Sequence, residues 1–159
     1  MHASQEEAIR LFGKAMEKHI FPVAIKAGMS VSKNHKELYW LTAPSFAIKF
    51  EYHAAHHNTG YSYAVIIYPI PAPIWYADYQ YGIVWLAEYQ GLEKPRPTDA
   101  HKIEEFETLF ENFAKLLPDY IRALKESDPS FWEKLHAFVQ KEIAPRAAEV
   151  KAMTERIVG

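Results

Sequence analysis

Hydrophobic positions along this chain change their period twice. Near the start they recur by threes and fours, at Ala8, Leu11, Phe12, Ala15, Met16 and Ile20. That spacing predicts an amphipathic helix of about four turns. Ser4 and Glu7 are spaced as a capping box that would begin it. Pro22 kinks the helix or starts a short continuation. Gly28 suits the left-handed position that ends that continuation. The polar stretch from Ser30 to Lys36 reads as a loop, and Glu37 to Thr42 as a short strand broken by Pro44 and Ser45.

From Phe46 the period becomes two. Phe46, Ile48, Phe50 and Tyr52 face one way, and Ala47, Lys49, Glu51 and His53 face the other. Asn58, Thr59 and Gly60 supply turn chemistry. Tyr61 to Tyr68 is a second strand, apolar on both faces and therefore more central. The two form an antiparallel hairpin. An even-numbered loop sets the Phe46 row beside Tyr61, Tyr63, Val65 and Ile67, whereas an odd loop mixes charged side chains into it. The even loop is the expectation. Prolines at 69, 71 and 73 make a stiff connector that no paired central strand tolerates. Tyr81 to Tyr89, with Ile83, Val84, Trp85 and Leu86, reads as the next strand.

After Thr98 the spacing returns to threes and fours, at Ile103, Phe106, Phe110, Phe113, Leu117, Tyr120 and Leu124. Pro118 kinks this helix or divides it. Asp128 and Pro129 mark a restart, as cap and first helical residue. Phe131, Trp132, Leu135, Phe138 and Val139 line its buried face. Pro145 is expected to end it, leaving a weaker amphipathic segment with Val150, Met153 and Ile157. Helix, then strands, then helices defines an α+β class. The expected architecture is a small antiparallel sheet of three to five strands, covered on one face by N-terminal and C-terminal helices. It forms a single domain over 1–159, with helix in 1–28, sheet in 37–90 and helices in 98–158.

Composition narrows the possible functions. Lysine and arginine total 18 against 20 aspartates and glutamates. No basic excess tracks a phosphate backbone, so nucleic acid is not the expected partner. Cysteine is absent from the 159 residues, which excludes disulfides, thiolate metal sites and cysteine nucleophiles. No apolar run approaches the roughly 20 residues of a membrane span. The N-terminus lacks signal-peptide character. A soluble cytoplasmic protein is the expectation. Its C-terminal helices offer a route to a homodimer.

The aromatic residues concentrate in the middle. Nine of ten tyrosines and three of four tryptophans lie between Tyr39 and Tyr89, with only Lys49, Glu51, Asp78 and Glu88 as charged company. Aromatic surface is either core or the anchor of a binding face. Trp75, Tyr76, Asp78 and Tyr79 crowd into one connecting segment. They are the candidate binding residues, unless Trp75 and Tyr79 fold back over the sheet. Glu51 and His53 share a wet strand face and are candidate acid/base residues. Glu88, in an otherwise apolar run on the side of Val84 and Leu86, is a third candidate. His53, His56 and His57 invite a metal reading. Extended backbone opposes it by holding His53 and His57 about 13 Å apart and turning His56 away. The plainer reading is a polar hairpin tip, so no metal or other cofactor is expected. No phosphate-binding glycine loop, nucleophile elbow or zinc-enzyme motif occurs. The expected function is protein binding, as an inhibitor or immunity-type module, with enzymatic activity the less favoured option. The alternative is a small-ligand-binding protein or enzyme with an aromatic pocket and a Glu/His polar element.

Overall fold

A computed structural model describes residues 2–35, 37–54, 61–72, 81–95, 99–100 and 105–158. Helix α1 (His2–Ala15) opens the chain. Ser4 therefore lies inside the helix rather than at its cap, and Glu7 instead binds Arg10, three residues on. A π-helical turn, Met16–Ile20, leads into α2 (Phe21–Lys26), where Pro22 occupies the first turn. Proline has no N–H, and in a continued α-helix its ring would press on the carbonyl four residues back. The wider π-turn just before it gives the ring room. Gly28, at φ 86°, ends α2 as its spacing predicts. The Met29 N–H bonds the Ala24 carbonyl and the Gly28 N–H the Ile25 carbonyl, the paired bonds of a Schellman stop. Lys125 donates to the Ala27 carbonyl from another helix.

The α+β class and the antiparallel sheet are as expected. Strands β1 (Ser30–His35), β2 (Leu38–Thr42), β3 (Phe46–Ala54), β4 (Tyr61–Pro69) and β5 (Tyr81–Gly82) lie side by side in sequence order. A two-residue strand β6 (Asp99–Ala100) also pairs with β4. The β3–β4 register sets Ile48 against Ile67, Phe50 against Val65 and Tyr52 against Tyr63. This is the register of an even loop, and it keeps one face continuously apolar.

Two expectations for the sheet fail. Residues 30–35 are a strand, not a loop, because β2 supplies their ladder. A polar edge strand carrying a lysine and a bulge is how sheets discourage further pairing, and β1 has Lys33 and a register shift between Lys33 and His35. Residues 83–90 are a helix, α3 (Ile83–Gln90), not a strand. Ile83, Leu86 and Ala87 are its buried positions, the i, i+3, i+4 spacing of a helix face. Gly91, at φ 68°, stops it. A short apolar run carries both periods, and tertiary packing decides between them.

The core lies between the sheet and α1 with α4 (Glu105–Lys125). Phe12 of α1 meets Tyr39, Tyr52, Tyr63, Phe106 and Phe110 at centroid separations of 5.2–6.1 Å. Phe50 meets Phe110 and Phe113 edge-on. Phe106, Phe110, Phe113, Leu117, Tyr120 and Leu124 are all buried on α4. Pro118 sits on its exposed side, and α4 runs unbroken through it.

Chain contacts divide the molecule into two compact units, Met1–Glu126 and Ser127–Gly159. The second is essentially α5 (Pro129–Val158). Asp128 caps it, its Oδ1 accepting the Phe131 N–H at 2.9 Å and the Ser130 hydroxyl at 2.6 Å. Pro145 lies within this helix and does not end it. Phe131 and Trp132 meet edge-on within the unit. Among the described residues no helix is long and apolar enough to cross a membrane.

The buried phenols make stability fall at high pH. Burial, and then Tyr120 nearby, pushes the Tyr63 hydroxyl far above the ordinary value of 10.0. Burial, with Glu93 and Asp119, pushes Tyr120 up to about 12. A phenol with a raised folded-state pKa contributes full stability below its unfolded pKa and loses it as pH rises through the folded value. Urea midpoints should therefore hold up to about pH 10 and fall above it. Tyrosinate absorbance rising from an intact fold, with an unchanged midpoint, would contradict this.

Candidate functional site

The strand faces that touch α1 and α4 are Tyr39 and Leu41, then Phe46 to Tyr52, then Tyr63 to Ile67, each by alternate residues. Alternation turns the intervening residues to the opposite face. There Trp40 pairs with Lys49, Lys49 with Ile66, and Ala47 with Tyr68. The result is a compact cationic and aromatic cluster. The Trp40 and Tyr68 ring centroids are 5.5 Å apart. Lys49 Nζ stands 5.9 Å from the Trp40 centroid and 5.6 Å from that of Tyr68, within cation–π range. Lys49 also bonds the Tyr68 hydroxyl, and its Nζ is 3.3 Å from Glu51 Oε2.

These contacts fix the lysine's charge. Desolvation lowers its pKa, but Tyr68 and Glu51 outweigh that and leave it above the ordinary lysine value. At neutral pH the ammonium is therefore a cation, with the side chain only 13% exposed. It is unsuited to act as a base or amine nucleophile, which must be deprotonated. It is well suited to recognition, because little of its side-chain entropy remains to be lost on binding. The Trp40 indole N–H is shielded from solvent and donates to no described residue. A shielded donor of that kind costs roughly 1–3 kcal/mol.

Glu51 and His53 lie on this same face, two residues apart, as strand alternation requires. The closest approach between them is 3.9 Å, from His53 Nε2 to Glu51 Oε2, with His53 half exposed. Glu51 thus stands between Lys49 and His53 along β3, and its nearer partner is the lysine. Glu88 does not join them. It lies on α3, where Lys94 Nζ sits 2.9 Å from its carboxylate, and it does not share a strand face with Val84 and Leu86. His56, His57, Trp75, Tyr76, Asp78 and Tyr79 lie outside the described residues. Among the described residues no group of three or more histidines and carboxylates is placed to hold a metal ion.

Sequence reasoning missed Trp40 and Tyr68. A signal existed for each. Trp40 alternates with the core positions Tyr39 and Leu41, and Tyr68 with Ile67. Large rings at outward positions are the kind that anchor binding faces. No known protein family, curated protein or solved structure matches this chain.

Proposed function

We propose that the protein is a cytoplasmic binding module, of inhibitor or immunity type, and that it engages a protein partner through the sheet face bearing Trp40, Lys49 and Tyr68. The observation that carries this reading is Lys49, set against two adjoining rings and hydrogen-bonded, on the face turned away from α1 and α4. Trp, Tyr and a constrained cation are the composition of interface hot spots. Glu51 and His53 supply the polar rim that such anchors usually have. The absence of cysteine supports a reducing compartment. A partner complementary to this face offers a carboxylate or carbonyl oxygen near Lys49 and an apolar edge to the rings.

Affinity capture from native extract tests the proposal. Trp40→Ala and Lys49→Met should each weaken capture of a specific partner by roughly tenfold or more. A control change at Ile25, which is 57% exposed on α2, should leave capture intact. Equal capture by wild type and both variants would remove this face as the binding surface.

A further inference from the structure

A concavity lies on the other side of the sheet, along the flank of α1. It encloses about 530 Å³ and is walled by Ile9, Arg10, Gly13 and Lys14 of α1, with Lys33 of β1 and Tyr39 of β2 opposite. That volume is in the range of small-molecule sites. Its floor is unusual. Gly13 lies inside a helix, where glycine costs roughly 0.5–1 kcal/mol relative to alanine. The reason is Tyr39. A Cβ at position 13 would come within 3.0 Å of the Tyr39 hydroxyl oxygen, closer than real Cβ atoms approach anything.

The Tyr39 ring cannot swing aside. It is buried, packed on Phe12 at 5.5 Å and Phe21 at 6.0 Å, with Lys33 Nζ over its face. Phenylalanine would fill the same core volume without the oxygen. The helix glycine thus accommodates one thing, a phenolic O–H set beside the backbone at the groove floor. Burial, and then Glu17, raises that hydroxyl's pKa, so at neutral pH it is a donor.

Charge defines what the donor is for. Arg10 is occupied by Glu7. Lys14 and Lys33 make no ion pair with any described residue. Two ammonium groups without an ion-pair partner among the described residues share the groove with a phenolic donor, and Ile9 is its apolar wall. Glu6 of α1 and Glu17 of the π-turn border it on either side, about 10 Å before and 6 Å after Gly13 by helical rise. Carboxylates at both ends repel an extended polyanion and leave room for a compact one.

We infer that this groove binds a small organic anion. The ligand carries one phosphate or carboxylate head, held by Lys14, Lys33 and the Tyr39 hydroxyl, and a short apolar body lying against Ile9. This site is separate from the Trp40 face and does not depend on the protein-binding reading.

Backbone-amide NMR titration of the full chain tests it, with phenyl phosphate and benzoate as probes and phenol as the neutral control. The expected result is a saturable shift of the Gly13, Lys14 and Lys33 amides with at least one anion and none with phenol. Which anion binds identifies the head group. Lys14→Met and Lys33→Met should each weaken binding roughly tenfold, and arginine at either position should restore most of it. Tyr39→Phe should weaken binding severalfold without lowering the melting temperature. No saturable shift with either anion, or equal affinity in the Lys14→Met/Lys33→Met double variant, would overturn the inference.

Discussion

Replacing Phe12 with alanine is expected to lower the free energy of unfolding by about 3–5 kcal/mol. Domains of this size are stable by only about 5–15 kcal/mol, so the variant should be marginal or unfolded at physiological temperature. The size of the effect follows from position. Phe12 is fully buried and touches rings from both layers of the core at once: Tyr39, Tyr52 and Tyr63 of the sheet, and Phe106 and Phe110 of α4. Three of these contacts, with Tyr52, Phe106 and Phe110, are edge-on, an arrangement worth more than area burial alone. Its removal leaves a cavity bounded by stiff rings that cannot collapse into it, which is the expensive case. Phe12→Leu keeps most of the volume and should cost less than about 1.5 kcal/mol. Urea denaturation of both variants measures the difference. An alanine variant within about 1 kcal/mol of wild type would mean that the aromatic layer closes around the void, contrary to the density of protein interiors.

The parts of this fold legible in the sequence are those where local chemistry and burial agree. Phe46, Ile48, Phe50 and Tyr52 alternate with Lys49, Glu51 and His53, and a register error would bury charges, so strand, face and pairing follow together. Gly28 and the Asp128–Pro129 pair are stop and start signals whose stereochemistry leaves few alternatives. Legibility ends where the structure is decided by something distant in sequence. Residues 30–35 carry little apolar signal, and only the β2 ladder makes them a strand. Residues 83–87 are apolar at every position, so no period distinguishes strand from helix there. Glu51 and His53 could be placed on one face because they are two residues apart on one strand. The Trp40, Lys49 and Tyr68 cluster draws on three strands, and its assembly requires the full register. Gly13 and Tyr39 are further still from a local motif. Nothing near Gly13 in sequence explains a glycine on that helix.

Gly13 gives the second large effect, and its sign depends on a residue 26 positions away. Gly13→Ala in the natural background should destabilise the fold by about 1–3 kcal/mol, the usual cost of overpacking. This opposes the ordinary rule that alanine improves a helix interior. In a Tyr39→Phe background the offending oxygen is gone, and the nearest remaining ring atom, Cζ, lies 3.5 Å from the new methyl, an ordinary contact. There the same substitution should stabilise the protein by about 0.5–1 kcal/mol through helix propensity and reduced unfolded-state entropy. A double-mutant cycle by urea denaturation should therefore give a coupling of about 1.5–4 kcal/mol, the difference between these two effects. Additive behaviour would show that Tyr39 repacks freely and that the glycine has another cause. With the coupling present, the Tyr39→Phe/Gly13→Ala chain is at least as stable as the natural one and lacks only the hydroxyl. A sequence selected for folding alone would drift to that pair. The glycine and tyrosine of this chain therefore fit a use of the hydroxyl that lies outside stability, and Tyr39 lines the same groove as Lys14 and Lys33.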